Sequence, residues 1–243
     1  MHALLRNLIR HLPGRRRPPP AAVDLALARP WPSTSDRRAV FSYIHQHNHW
    51  GDPESVSGPG STLAHTRNIR ETLPRLWKQL GIRVVLDAPC GDFNWFRAMD
   101  RPSGLRYIGG DIVEALVAAN QHRYGDASTA FQVMDIISDP LPHADFWLCR
   151  ECLFHLPSKD VLTVLRRFAT STIPHLCTTT HHECPVNTEI HTGTFSPLNL
   201  EKPPYNLPRA RFYMDDWIEG TLPRRLGVWH RTDVASALGI HSE

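Results

Sequence analysis

Residues 84–95, Val-Val-Leu-Asp-Ala-Pro-Cys-Gly-Asp-Phe-Asn-Trp, constrain this chain more than any other stretch. Three apolar residues run into Asp87 and then meet Pro89 and Gly91, the pattern of a buried strand that breaks at its carboxyl end into a tight turn. In an α/β protein that turn is where a nucleotide-like ligand is held, and Gly91 lets the backbone pass close to it where a Cβ would collide. A second apolar run, residues 107–111, ends in Asp111, 20 positions after Gly91 (111 minus 91). An acid at that spacing suits the paired hydroxyls of a ribose. A third run, residues 130–135, ends in Asp135, and a fourth, residues 145–150, ends in Arg150. Strands that all deliver polar groups to one rim make a candidate site.

Between these runs the period changes from two to that of a helix. Residues 112–124 read as an Ala-rich helix, and Ser158 caps another that carries Val161, Leu162, Val164, Leu165 and Phe168 along one side. Upstream, Leu63, Ile69, Leu73, Leu76, Trp77 and Leu80 share one helical face, with Ser61 or Thr62 as cap, Pro74 as a kink and Gly81 as terminator. Order resumes near Val40, where Phe41, Tyr43 and Ile44 supply anchors, and the Ser/Gly/Pro-rich residues 50–62 form a loop. Residues 173–180 read as a fifth strand, and residues 212–218 with 226–231 as a closing hairpin. Strands alternating with helices imply a parallel sheet covered by helices on both faces.

An acid followed by a glycine-bearing turn, with acids at the ends of the next two strands, resembles the class I S-adenosylmethionine-dependent methyltransferases over residues 61–235. The Asp-Ala-Pro-Cys-Gly-Asp-Phe-Asn-Trp form looks like that of a small bacterial subgroup, with Pro89 and Phe93 where the family usually has glycines. The resemblance implies an α/β, Rossmann-like methyltransferase fold: a mostly parallel seven-stranded sheet, helices on both faces, and a terminal antiparallel hairpin. It implies S-adenosylmethionine as cofactor, with Asp87, Pro89, Cys90, Gly91, Asp92 and Asn94 around the methionine part. Asp111 with Ile112 then takes the ribose, and Asp135 with Ile136 lies near the adenine amine. In similar proteins a loop before the first strand folds over the methionine end, where the amides of Gly58 and Gly60 and the Ser61 hydroxyl suit a carboxylate; plain helix capping is the other reading of these residues.

Arg150 and Glu151 emerge from an apolar strand and are expected to line the cofactor or the substrate, with Arg150 also a catalytic candidate. His155, before Leu-Pro, is either a base or a brace for its loop. His181 leaves the fifth strand toward the site and is the first choice for a general base, since imidazole titrates near neutrality. The polar, proline-rich residues 178–208 are expected to form a substrate lid, with Phe195 and Tyr205 offering ring faces. Cys149 and Cys152, with Cys177, His181, His182 and Cys184, are spaced for a redox pair or a metal cluster, but buried free thiols usually serve as small hydrophobes and no metal is expected. Methyl transfer from a sulfonium is a direct in-line substitution, so no catalytic triad need be sought.

With 243 residues, 41% hydrophobic and 21% charged, the chain is expected to be one compact domain at 37–243 behind a basic Pro/Arg-rich extension at 1–36. No apolar run approaches membrane-spanning length. Five cysteines, an odd number, with no convincing secretory signal point to a reducing, cytoplasmic setting. Residues 1–12 read as a short basic amphipathic helix followed by three arginines at 15–17. A solvated tail and a contact with nucleic acid or an anionic membrane are both compatible with this, and the net charge of +3 favours the former. The leading expectation is a methyltransferase acting on an oxygen or nitrogen of a small-molecule acceptor. The alternatives are a nicotinamide-dependent oxidoreductase, weakened by the missing Gly-x-Gly-x-x-Gly spacing, and a non-catalytic or nucleic-acid-binding protein that kept the fold. Neither acceptor nor oligomeric state is assigned by the sequence.

Overall fold

The computed structural model describes residues 36–240. The basic helix expected at 1–12, the arginines at 15–17 and residues 13–35 of the Pro/Arg-rich stretch lie outside the described residues.

The strands are β1 (Val84–Asp87), β2 (Arg106–Asp111), β3 (Thr129–Val133), β4 (Phe146–Cys149), β5 (His175–Thr180), β6 (Phe212–Asp215) and β7 (Arg225–His230). They form one sheet in the order β3-β2-β1-β4-β5-β7-β6. The pairs β1–β2, β1–β4, β2–β3 and β4–β5 are parallel, and β7 runs antiparallel to both neighbours, β5 and β6. This is the expected Rossmann-like sheet with its terminal antiparallel hairpin. Chain order reverses direction between β1 and β4, and in open α/β sheets a ligand crevice forms outside the carboxyl ends at such a switch point.

Side chains alternate across a strand, so each apolar strand feeds two cores. Leu86, Trp147, Cys149 and Leu176 face one side; Val85, Phe146, Leu148 and Cys177 face the other. The first core is covered by α4 (Ser158–Thr170) and α5 (Arg231–Ala237), through Val161, Val164, Leu165, Phe168 and Val234. The second is covered by α2 (Arg67–Leu80) and α3 (Glu114–Tyr124), through Ile69, Leu73, Leu76, Trp77 and Val117. Burying a large side chain such as Trp77 or Trp147 contributes a few kcal/mol each.

Several expected boundaries move. The helix expected from Leu63 starts at Arg67, and neither Ser61 nor Thr62 caps it. Residues 59–61 make a short 3-10 turn, the Thr62 hydroxyl donates to the Pro59 carbonyl, and Leu63 is left exposed. The helix runs through Pro74 and ends at Gly81, as expected. Ser158 is the first residue of α4 rather than its cap; its N–H is met by the Glu189 carboxylate, 3.3 Å away. Two elements were not anticipated: α5, and α1 (Arg37–Gln46), which opens on the Asp36 carboxylate accepting from Arg38 and Ala39 and buries Val40 and Ile44.

Candidate functional site

Outside the carboxyl ends of β1, β2 and β4 lies a cleft, open to solvent on one side, that takes side chains from all three strand ends. Asp87, Asp111 and Asp135 all stand on its wall, with Ile112 and Ile136 beside the last two. Asp87 ends β1 and accepts a hydrogen bond from the Tyr107 hydroxyl at 2.8 Å. Burial pushes its carboxyl up to about 7, against that hydrogen bond and the charge of Arg150. Asp111 ends β2; one oxygen accepts from the Gly91 amide at 3.1 Å and the other from the Val113 amide at 3.0 Å. β3 stops at Val133, so Asp135 lies two residues beyond it, its carboxylate accepting from the Ile137 amide and from Arg37. Burial works to raise Asp135, but the Arg37 hydrogen bonds and that amide hold it below the ordinary carboxylate range.

Pro89, Cys90 and Gly91 form the floor at the end of β1. Gly91 has φ +56°, and a Cβ there would stand 2.4 Å from the Ser57 hydroxyl. The close approach that requires this glycine is therefore made by the chain itself, since Ser57 Oγ accepts from the Asp92 amide at 2.9 Å. Asp92 and Asn94, expected at the cofactor, are off the cleft wall. Asp92 accepts from the Ser55 hydroxyl and the Val56 amide, while Asn94 donates to Glu54 and to the Ser61 carbonyl. Both residues staple the 54–61 loop over the turn. Of the loop residues expected at the methionine end, Ser61 reaches the cleft and Gly58 and Gly60 do not. The Gly58 amide is already bonded to the Ser55 carbonyl, and the Gly60 carbonyl accepts from Arg150 at 2.6 Å.

At the exit of β4 the wall is charged. Arg150 is buried in a two-pronged pair with Asp216, both contacts at 2.9 Å, and its guanidinium lies 5.3 Å from the centre of the Trp95 ring. This corrects its place among catalytic candidates: a guanidinium so held stays protonated and can orient or bind, not exchange protons. Its Nη1 carries no hydrogen bond among the described residues. Glu151 adopts the uncommon φ of +53°, its amide donates to the Thr179 hydroxyl, and its carboxylate sits 2.8 Å from Arg224 Nε. Gly60 makes room for it, because a Cβ there would meet Glu151 Oε2 at 2.6 Å.

The histidines divide. His155 is on the cleft wall, stacked at 5.4 Å on Trp50, with Nδ1 3.0 Å from the Thr194 carbonyl. That bond makes Nδ1 the protonated nitrogen, and burial lowers the ring to about 4, so the imidazole is neutral. His181 is not on the wall, which removes the first-choice base. Its Nδ1 accepts from the Leu198 amide at 3.1 Å, its ring packs against Phe154 and Phe195, and burial, then Arg224, lowers it to about 4. The expected substrate lid is corrected for the same reason: no residue of 178–208 lines the cleft. Asn187 and Asn199 bind that segment to itself, and Tyr205 is buried in the first core instead of offering a ring.

Among the described residues no group of three His, Cys, Asp or Glu is arranged to hold a metal. Cys149 and Cys152 belong to one core and Cys177 to the other, on opposite faces of the sheet. All five cysteines are free. The covering side of the cleft comes from residues the sequence reading missed, namely Arg37, Phe41, His45, Trp50, Val56 and Ser57, joined by Trp95 and Cys152. The signal for the first three was their spacing of four, one helical face facing the same way.

No family model matches the sequence, and no curated protein matches it. Solved structures do match in fold. The chain is similar to the magnesium protoporphyrin IX methyltransferase ChlM from Synechocystis PCC 6803 with bound SAH, at TM-score 0.51 and 13% identity over 79% of this chain and 94% of that one. It is similar to PigF with SAH, at 0.55 and 16% over 80% and 64%. It is also similar to the N-methyltransferase NodS from Bradyrhizobium japonicum WM9, at 0.52 and 12% over 69% and 96%. At such identities the likeness is one of architecture: this chain has the fold of the S-adenosylmethionine-dependent methyltransferases.

Proposed function

We propose that residues 37–243 form a methyltransferase that binds S-adenosylmethionine in this cleft and methylates an oxygen or nitrogen of a small-molecule acceptor. One observation carries the reading: three carboxylates at or just past the ends of consecutive strands share one cleft beside two isoleucines, in a fold of which two solved examples hold SAH. When bound, S-adenosylmethionine supplies an electrophilic methyl on a cationic sulfur. Asp111 would accept from the ribose hydroxyls and Asp135 from the adenine amine, with Ile112 and Ile136 against the ring faces. Asp87, once ionised, would pair with the ammonium of the methionine end, and Arg150 Nη1 with its carboxylate. Glu151 and His155 flank the β4 exit, where an acceptor would be aligned; a neutral imidazole with Nδ1 tied to a carbonyl offers Nε2 as a hydrogen-bond acceptor. The work left to the protein is alignment and exclusion of water, which an apolar, aromatic-walled cleft suits.

The nicotinamide reading has less support. A pyrophosphate needs free amides at the first turn. Here Pro89 has none, and those of Cys90, Gly91, Asp92 and Asn94 are bonded to Gly110, Asp111, Ser57 and the Asp92 carboxylate. Calorimetric titration of the full chain with S-adenosylhomocysteine and with NAD separates the two. We expect saturable binding of the former alone; binding of NAD alone would reverse the assignment. Labelled S-adenosylmethionine with cell extract then identifies the acceptor by the labelled product.

A further inference from the structure

We propose that α1 is the lid of the cofactor cleft and that Arg37 is its latch, an inference that rests on the S-adenosylmethionine reading. Arg37, Phe41 and His45 recur every fourth residue of α1 and all stand on the cleft wall, while Val40 and Ile44 on the adjoining side are buried in the body. At the start of the helix, Arg37 Nη2 lies 2.7 Å and Nε 3.2 Å from Asp135 Oδ2, and Nη1 lies 3.7 Å from Asp160 Oδ2. The acid nominated for the adenine amine is thus already gripped by the helix that covers it, and its other oxygen is held by the Ile137 amide. A ligand laid across Asp135 has to share that carboxylate with Arg37 or displace it.

Two further observations single out α1. At ten residues it is too short to be stable alone, so its place depends on two buried side chains and on ion pairs at its first turn. Elements held this way open at low free-energy cost. His45 Nδ1 is also buried without a hydrogen-bond partner among the described residues, a polar atom on the cleft side of the same helix that a ligand can satisfy. The long segment after β5 shows the reverse: it is bonded to itself and to the outer side of His155, and none of its residues lines the cleft.

The test is stopped-flow binding of S-adenosylhomocysteine to the full chain, read by the fluorescence of Trp50 and Trp95 on the cleft wall. Arg37→Met should raise both association and dissociation rates, dissociation by about tenfold, as the loss of a two-pronged charged contact implies. Arg38→Met, which loses an exposed pair with Glu114 and a 3.2 Å bond to the Ile112 carbonyl at the same turn but no contact with Asp135, should change them by less than about twofold. In the unaltered protein, hydrogen exchange of residues 37–46 should slow on saturation with the same ligand. Unchanged rates in Arg37→Met, equal acceleration in Arg38→Met, or exchange in α1 indifferent to ligand would each overturn the latch while leaving the cofactor reading intact. Failure of the unaltered chain to bind S-adenosylhomocysteine would remove the cofactor reading, and the lid with it.

Discussion

Asp87 is a carboxyl held near half charge at neutral pH, because burial disfavours its ionised form more than Tyr107 and Arg150 favour it. Its ordinary value is 3.8 and its folded value about 7, so between those limits the folded chain binds the extra proton. The stability Asp87 contributes is therefore full below pH 3.8 and is lost as pH rises through 7. Asp87→Asn should flatten this dependence in urea titrations compared at pH 5 and pH 8. A cationic ligand group draws on the ionised form alone. Affinity for S-adenosylhomocysteine should accordingly rise about tenfold from pH 6 to pH 8. Tyr107→Phe should move the midpoint of that rise upward, since the lost hydrogen bond favours the charge; calorimetry at three pH values reads both, and a flat profile would count against Asp87 as the ammonium partner.

The turn after β1 and the 54–61 loop behave as one element built from two distant stretches. Gly91 serves both: its positive φ shapes the turn, and its missing Cβ leaves the space that the Ser57 hydroxyl fills. Gly91→Ala should cost roughly 2 kcal/mol, measured as the shift in urea midpoint. Ser57→Gly in the same background should return only the part due to the clash, because the φ penalty stays with the backbone. The need for glycine at 91 is legible in the sequence, but the group that approaches it is Ser57 and not a ligand. The start of α2 is not legible, because a helical stripe beginning at Leu63 looks the same whether its first turn is α-helical or, as here, a run of turns held by Glu54, Thr62 and Thr66.

At the scale of the molecule, Arg150 and Asp216 join the β4 exit to the end of β6 across 66 positions, with Gly60 of the covering loop on the same guanidinium. Arg150→Met leaves a buried carboxylate alone and should destabilise by about 3–5 kcal/mol in chemical denaturation. Adding Asp216→Leu should recover most of that loss, because the pair is then replaced by apolar packing. Two buried neutral histidines add a pH term of opposite sign to that of Asp87. His155 and His181 are each lowered from 6.5 to about 4, so the folded chain refuses protons that the unfolded chain accepts. The stability they contribute is present above pH 6.5 and is lost as pH falls through 4. His181→Phe should therefore make the unfolding free energy fall less on acidification across that window than it does in the unaltered chain, read in urea titrations at pH 4 and pH 7.

What the sequence determined by itself was the frame: strands that deliver Asp87, Asp111 and, two residues past the third, Asp135, the helices between them, and a closing hairpin. These are set by local chemistry, the alternation of side chains along a strand and the turn residues that stop it, and both can be read within a dozen residues. Only the tertiary structure decided what covers the cleft and what each polar group faces. Arg37 meets Asp135 across 98 positions, and His181, though it leaves β5 on the expected side, turns its Nδ1 to the Leu198 amide and away from the cleft. A buried polar atom takes whichever partner the packed chain brings within reach, and no spacing along the sequence encodes that choice.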